Sequence, residues 1–172
     1  MSKQSYPARA NESPSGPETE TVIAANHLRE AGDLLRAGMP EAALGVLRRS
    51  RDDSPWAVNA RGVCHLRMGD SEAALDVFRS LALAPGGLIM RRDATAAVKM
   101  NYAAALLLSD NLSGCLDVLA ETRGESHPAA ARLRGAIRGW KEGLSFWQKI
   151  NWWMGGQPHK PVALDFEPGD LE

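Results

Sequence analysis

Residues 31–47, AGDLLRAGMPEAALGVL, and residues 62–78, GVCHLRMGDSEAALDVF, decide how this chain is read. Set one above the other, Ala31 and Gly62 open the two stretches and Leu34 and His65 stand three places on. Gly38 and Gly69 follow, the string EAAL recurs at 41–44 and 72–75, and Leu47 and Phe78 close the pair. The second copy begins 31 residues after the first. Such self-similarity marks a unit that cannot bury its apolar face alone and must stack on a copy of itself. A third stretch, AAALLLSDNLSGCLDVL at 103–119, keeps the pattern with Cys115 where Ala43 and Ala74 stand. A fourth, from Pro128 onward, has lost the wording.

Outward from these copies, the chain from Val22 to Met154 is rich in Ala, Leu and Arg at helical spacing, with almost no β-branched runs. The fold class expected is all-α. The breaks are written in turn and cap chemistry. Gly38 with Pro40, Ser54 with Pro55, and Gly69 with Asp70 divide the first helices, and Pro85-Gly86-Gly87 ends the fourth. Asp93 is expected to cap a helix running to about Ser109, and Asn111 to cap the next. Ser126 and Pro128 open another that Gly143 closes. Ser145 and Gln148 have the spacing of a capping box, and Gly155-Gly156 stops the last of about eight helices.

The repeat resembles the tetratricopeptide repeat, a helix–turn–helix unit of roughly 34 residues. That family places a small residue where two helices cross, matched by Ala31, Gly62 and Ala103, and a second in the partner helix, matched by Ala43, Ala74 and Cys115. The reason is steric, since helix axes approach to about 8–10 Å only where one side of the contact is small. The large apolar residue four places later is matched by Leu47, Phe78 and Leu119, and the Pro ending a repeat by Pro55 and, one residue early, Pro85. The family's Trp and Tyr in the first helix are absent. The interval between turns also grows from 31 residues to 41 (Gly69 to Asp110), so that either the connection around Pro85 to Thr95 or the third repeat's first helix is longer than in the family.

The resemblance implies a helical-hairpin solenoid of about three to four repeats ending in a Trp-rich helix. It also implies a non-catalytic adaptor or scaffold that binds a peptide or protein partner on the concave face of its first helices. On that face fall Arg29, Arg36, Asn59, Arg67 and Asn101. Asn59 and Asn101 resemble parts of the clamp with which some members hold a carboxylate, though the expected Lys is missing, with Leu28 and Gly32 nearby instead. Domain organisation follows: residues 1–20 a disordered arm rich in Ser, Pro, Glu and Gly, 21–156 the helical domain, and 157–172 an extended acidic tail.

Composition bounds the alternatives. The 172 residues carry a formal charge of −1, which gives no footprint for nucleic acid. That balance hides an asymmetry: residues 22–160 hold eighteen Lys and Arg against fourteen Asp and Glu, whereas 161–172 hold four acidic side chains and no basic one. Two cysteines, Cys64 and Cys115, make no disulfide framework and occupy inward positions of the repeat, so they are read as packing in a reducing, cytoplasmic setting. No signal peptide, spanning segment, phosphate loop, catalytic triad or metal-ligand spacing is legible. No cofactor and no catalytic residue are expected.

The aromatics are concentrated. Trp140, Trp147, Trp152 and Trp153 lie in one short stretch, on which Trp140, Leu144, Trp147 and Met154 form one stripe if the helix is continuous and Phe146, Ile150 and Trp153 a second beside it. A helix apolar most of the way round must be covered on both sides. One face would seal the end of the solenoid. The tail Pro161 to Leu171, PVALDFEPGDL, alternates Val162, Leu164 and Phe166 with small or acidic residues, and would fold back over the Trp helix with Asp165 and Glu167 meeting the basic body. Otherwise Trp147, Trp152 and Trp153 would dock a protein partner, a membrane surface with Lys141, Lys149 and Lys160 supplying charge, or a second copy in a homo-oligomer.

Overall fold

The structure, a computed structural model, describes residues 17–87, 89–124, 126–156 and 161–171. Eight helices are present among them: α1 (Pro17–Arg36), α2 (Pro40–Ser50), α3 (Pro55–Arg67), α4 (Ser71–Ala82), α5 (Ala96–Leu108), α6 (Leu112–Glu121), α7 (Pro128–Glu142) and α8 (Phe146–Trp153). The only pairing of extended backbone among the described residues is an isolated bridge between Leu83 and Met90. Among the described residues the fold is therefore of the all-α class.

Most of the expected arm, residues 1–16, lies outside the described residues, but 17–20 are already helical. Pro17 suits the first position of a helix, where its missing N–H leaves nothing unsatisfied.

Three consecutive pairs, α1 with α2, α3 with α4, and α5 with α6, pack as hairpins. Each closes on the same turn. Met39 N–H donates to the Leu34 carbonyl at 2.9 Å, Asp70 N–H to His65 at 2.9 Å, and Asn111 N–H to Leu106 at 2.8 Å. The residue before each donor is left-handed: Gly38 at φ 71°, Gly69 at φ 78° and Asp110 at φ 56°. This is the hydrogen-bonded closure that lets a helix end and the chain reverse within a few residues. Asp takes the third place because its short side chain tolerates that conformation better than most.

The small residues named from the repeat are the packing centres. Ala31, Ala43, Ala74, Ala103 and Cys115 are fully buried, as is Gly62, whose α-carbon faces the ring of Phe78 so closely that a Cβ there would stand 2.5 Å from it. Burial pushes the Cys64 thiol up to about 11 and the Cys115 thiol up to about 12, because a thiolate would be stripped of water. Both cysteines are free. Helix α5 is the centre of the molecule, with Ala97, Val98 and Met100 to Leu107 buried between α4, α6, α3 and α7.

The longer interval before the third repeat is a longer connection, since α5 is no longer than α3. There Ala84 N–H donates to Ile89 at 2.8 Å and Arg91 N–H to Ala82 at 2.7 Å. Two caps differ from expectation. Thr95, not Asp93, caps α5, its hydroxyl accepting from Val98 N–H, while Asp93 pairs with Arg91 at 2.6 Å, which holds its carboxyl below the usual range. His127, not Ser126, caps α7, with Nδ1 accepting from Ala129 N–H. The capping box of Ser145 and Gln148 is formed, so α7 and α8 are separate helices rather than one.

Candidate functional site

The first helices of the pairs stand side by side, α1 against α3, α3 against α5 and α5 against α7. Residues 161–171 lie across that row. Pro161, Ala163 and Asp165 line a cleft with Gly135, Ala136, Gly139 and Trp140 of α7. The segment then crosses α5 and α3 and ends with Leu171 against Gly32 of α1. The expected period of two holds at its start, with Val162 buried, Leu164 and Phe166 half-buried and Ala163, Asp165 and Glu167 exposed. Its path differs from the sequence reading. It meets the Trp-rich stretch only at Trp140 of α7 among the residues lining that cleft, runs on along the first helices, and Trp147 and Trp153 of α8 stay exposed.

Asn59 on α3 and Asn101 on α5 are 3% and 2% exposed, and their amides are aimed at the main-chain atoms of one residue, Asp170. Asn101 Nδ2 donates to the Asp170 carbonyl at 2.7 Å and Asp170 N–H donates back to Asn101 Oδ1 at 2.8 Å. Asn59 Nδ2 donates to the same carbonyl at 3.1 Å, and Asn101 Nδ2 also donates to Asn59 Oδ1 at 2.9 Å. Two buried amides are thereby satisfied by each other and by main-chain atoms of the tail. Burying them unpartnered would cost about 1–3 kcal/mol per group.

Arg67 extends the grip. Its Nε donates to the Pro168 carbonyl and one Nη to Gly169, both at 3.3 Å. The other Nη donates to Leu35 at 2.9 Å, tying α3 to α1, and stands 3.2 Å from the Glu167 carboxylate. Gly169 takes φ 96°, open to glycine and strained for other residues, and a Cβ there would lie 2.7 Å from Val63 Cγ1. The tail is thus held at its closest approach by a residue with no side chain.

Contacts of tail side chains are weaker. The Arg132 guanidinium lies 5.1 Å from the Phe166 ring centre, and the Asp170 carboxylate stands 3.6 Å from Arg132 and 3.9 Å from His127. Solvent-exposed ion pairs of this kind contribute about 0–1 kcal/mol. The backbone grip outweighs them.

Of the residues expected on this face, Asn59, Arg67 and Asn101 come together on the tail. Arg29 and Arg36 do not reach it. They bond along their own helix, to Asn26 at 2.9 Å and Asp33 at 2.7 Å, and flank a cleft of about 380 Å³ that Leu28, Trp56, Ala60 and Leu171 also line. Sequence reading missed Gly169, Val63, His127 and Arg132. Pro168-Gly169-Asp170 carries a visible turn signal, but the α7 residues lie in the copy that has lost the repeat's wording.

The Trp residues divide. Trp152 packs edge-to-face on buried Trp140 at 5.6 Å, with Lys141 over its ring. Trp147 and Trp153 are 77% and 87% exposed, and Phe146 and Met154 beside them are exposed as well. Only the inner face of α8 seals the body. Lys160, one of the three lysines expected to flank this helix, lies outside the described residues. Among those residues, no helix is long and apolar enough to cross a membrane, and no group of three His, Cys, Asp or Glu is placed to hold a metal ion.

No family model, curated protein or solved structure matches this chain.

Proposed function

We propose that the chain is a non-catalytic adaptor of tetratricopeptide type that binds an extended segment of a protein partner across the face of its first helices. The observation that carries this reading is the buried Asn59 and Asn101 pair, whose amide groups address a peptide carbonyl and N–H rather than side chains. Main-chain contacts of that kind accept any segment of the right backbone conformation. The shared hairpin turns and the small residues at the helix crossings support the repeat assignment. The groove is favoured over the Trp-rich end because its polar groups are aimed at a peptide.

Selection of peptides from a random display library against the chain carrying Gly169→Val, whose side chain would meet Val63 and clear residues 161–171 from the face, tests the proposal, with the same chain further carrying Asn101→Ala and Arg67→Ala as counter-screen. Recovered peptides should bind the chain and lose binding in the folded variant. Recovery of no peptide, or of peptides indifferent to the two substitutions, would sink it.

A further inference from the structure

We propose that residues 161–171 are a built-in competitor for this groove, and that the partner is a protein presenting an extended acidic segment of the same chemistry. That chemistry is an aromatic and an acidic residue, a Pro-Gly step that passes Val63, an Asp whose main-chain N–H and carbonyl meet Asn59 and Asn101, and a Leu against Gly32. The inference rests on the groove reading above and specifies its occupant.

Four observations lead to it. The groove's strongest contacts go to main-chain atoms of Pro168, Gly169 and Asp170, which a segment of another protein supplies equally well. The charge is complementary, since residues 161–172 carry four acidic side chains and no basic one, and Arg67 and Arg132 face the carboxylates of Glu167 and Asp170. The tail is also lightly seated, for beyond Val162 none of its described residues is fully buried. Finally, the cleft beside Leu171, with Trp56 half-exposed on its wall, offers apolar surface that the tail leaves open to a longer ligand.

Tethering decides the energetics. A short connection presents the tail at an effective concentration on the order of 1 mM. With an intrinsic Kd of about 10 μM, the groove would be about 99% occupied in cis and the apparent affinity for a ligand in trans would fall about 100-fold. Binding then requires either a tighter segment of the same kind or removal of the tail.

Gly169→Val separates tail from groove, because it alters only the ligand. A branched side chain at φ 96° meets Val63 and expels the tail, leaving Asn59, Asn101 and Arg67 untouched. The probe is a fluorescent synthetic peptide of residues 161–171, read by anisotropy on the full-length chain. It should bind the Gly169→Val chain saturably, bind the unaltered chain at least about 30-fold more weakly, and lose binding when Asn101→Ala is added. Asp170→Pro, also confined to the tail, removes the N–H that Asn101 Oδ1 accepts and serves if Gly169→Val fails to fold. Absence of binding to either tail-released chain overturns the inference, even where display selection yields other groove-dependent peptides and the adaptor reading stands. Equal binding to released and unaltered chains overturns the competitor role. A dimer of the unaltered chain that Gly169→Val dissolves assigns the groove to a second copy's tail and overturns the partner.

Discussion

Asn101 and Asp170, 69 positions apart, hold each other through a closed pair of hydrogen bonds, side-chain amide to carbonyl at 2.7 Å and main-chain N–H to side-chain oxygen at 2.8 Å. An amide side chain carries the donor and acceptor of a peptide group, so one residue satisfies both the N–H and the carbonyl of Asp170. The pairing joins the middle of the helical row to the far end of the chain.

Asn101→Ala is therefore expected to cost more than one bond. It leaves the Asp170 N–H without its acceptor and Asn59 Oδ1 without its donor, in surroundings where Asn59 is 3% exposed. A loss of about 1–3 kcal/mol is expected, read as a lowered urea midpoint. Limited proteolysis should cut the tail of the variant well before the body. An unchanged midpoint would mean that the pair is not buried in solution.

Helix crossing gives a second expectation. A Cβ at position 62 would stand 2.5 Å from the Phe78 ring, which is fully buried and has nowhere to retreat. Gly62→Ala should destabilise by about 1–3 kcal/mol through overpacking, even though Ala is the better helix former. Adding Phe78→Leu should return part of that loss. Thermal unfolding of the two single variants and the double variant measures the coupling, and strict additivity would contradict the contact.

The cysteines make a prediction in pH. Both thiols are raised in the folded state, to about 11 and about 12, against an ordinary value of 9.0 that the unfolded chain keeps. Above pH 9 the unfolded chain releases thiol protons that the folded chain retains, so stability present below that pH declines as pH rises toward the folded values. Urea midpoints at pH 8 and pH 10.5 should fall further for the unaltered chain than for a Cys64→Ala, Cys115→Ala variant. Both thiols should also resist alkylation at pH 8 until the chain unfolds. Rapid alkylation of the native chain would contradict their burial.

Much of the fold was legible because it depends on residues that repeat. Ala31, Gly62 and Ala103, with Ala43, Ala74 and Cys115, announce where helices cross, and Gly38 and Gly69 announce the turns. Pro128 opens α7 as its place in the sequence implies, whereas His127 rather than Ser126 and Thr95 rather than Asp93 supply the caps, because more than one cap-forming residue stands within three positions of each helix start. On the groove, Asn59, Asn101 and Arg67 could be named from their register in the first helices. Arg29 and Arg36 share that register but have acceptors, Asn26 and Asp33, three residues before them on their own helix. The tail's alternation was readable, whereas its path was not. Period 2 gives an apolar edge, and only the three-dimensional placement of two buried amides says what that edge lies against.

The most direct test of the tail's place in the groove is the exchange rate of the Asp170 amide hydrogen in the intact chain, followed by NMR. Donation to a buried oxygen of Asn101 predicts exchange slowed at least about tenfold against the free peptide of residues 161–171, a local opening cost of about 1.4 kcal/mol or more. Asn101→Ala should abolish that protection. An Asp170 amide exchanging at the free-peptide rate in the unaltered chain would contradict the account.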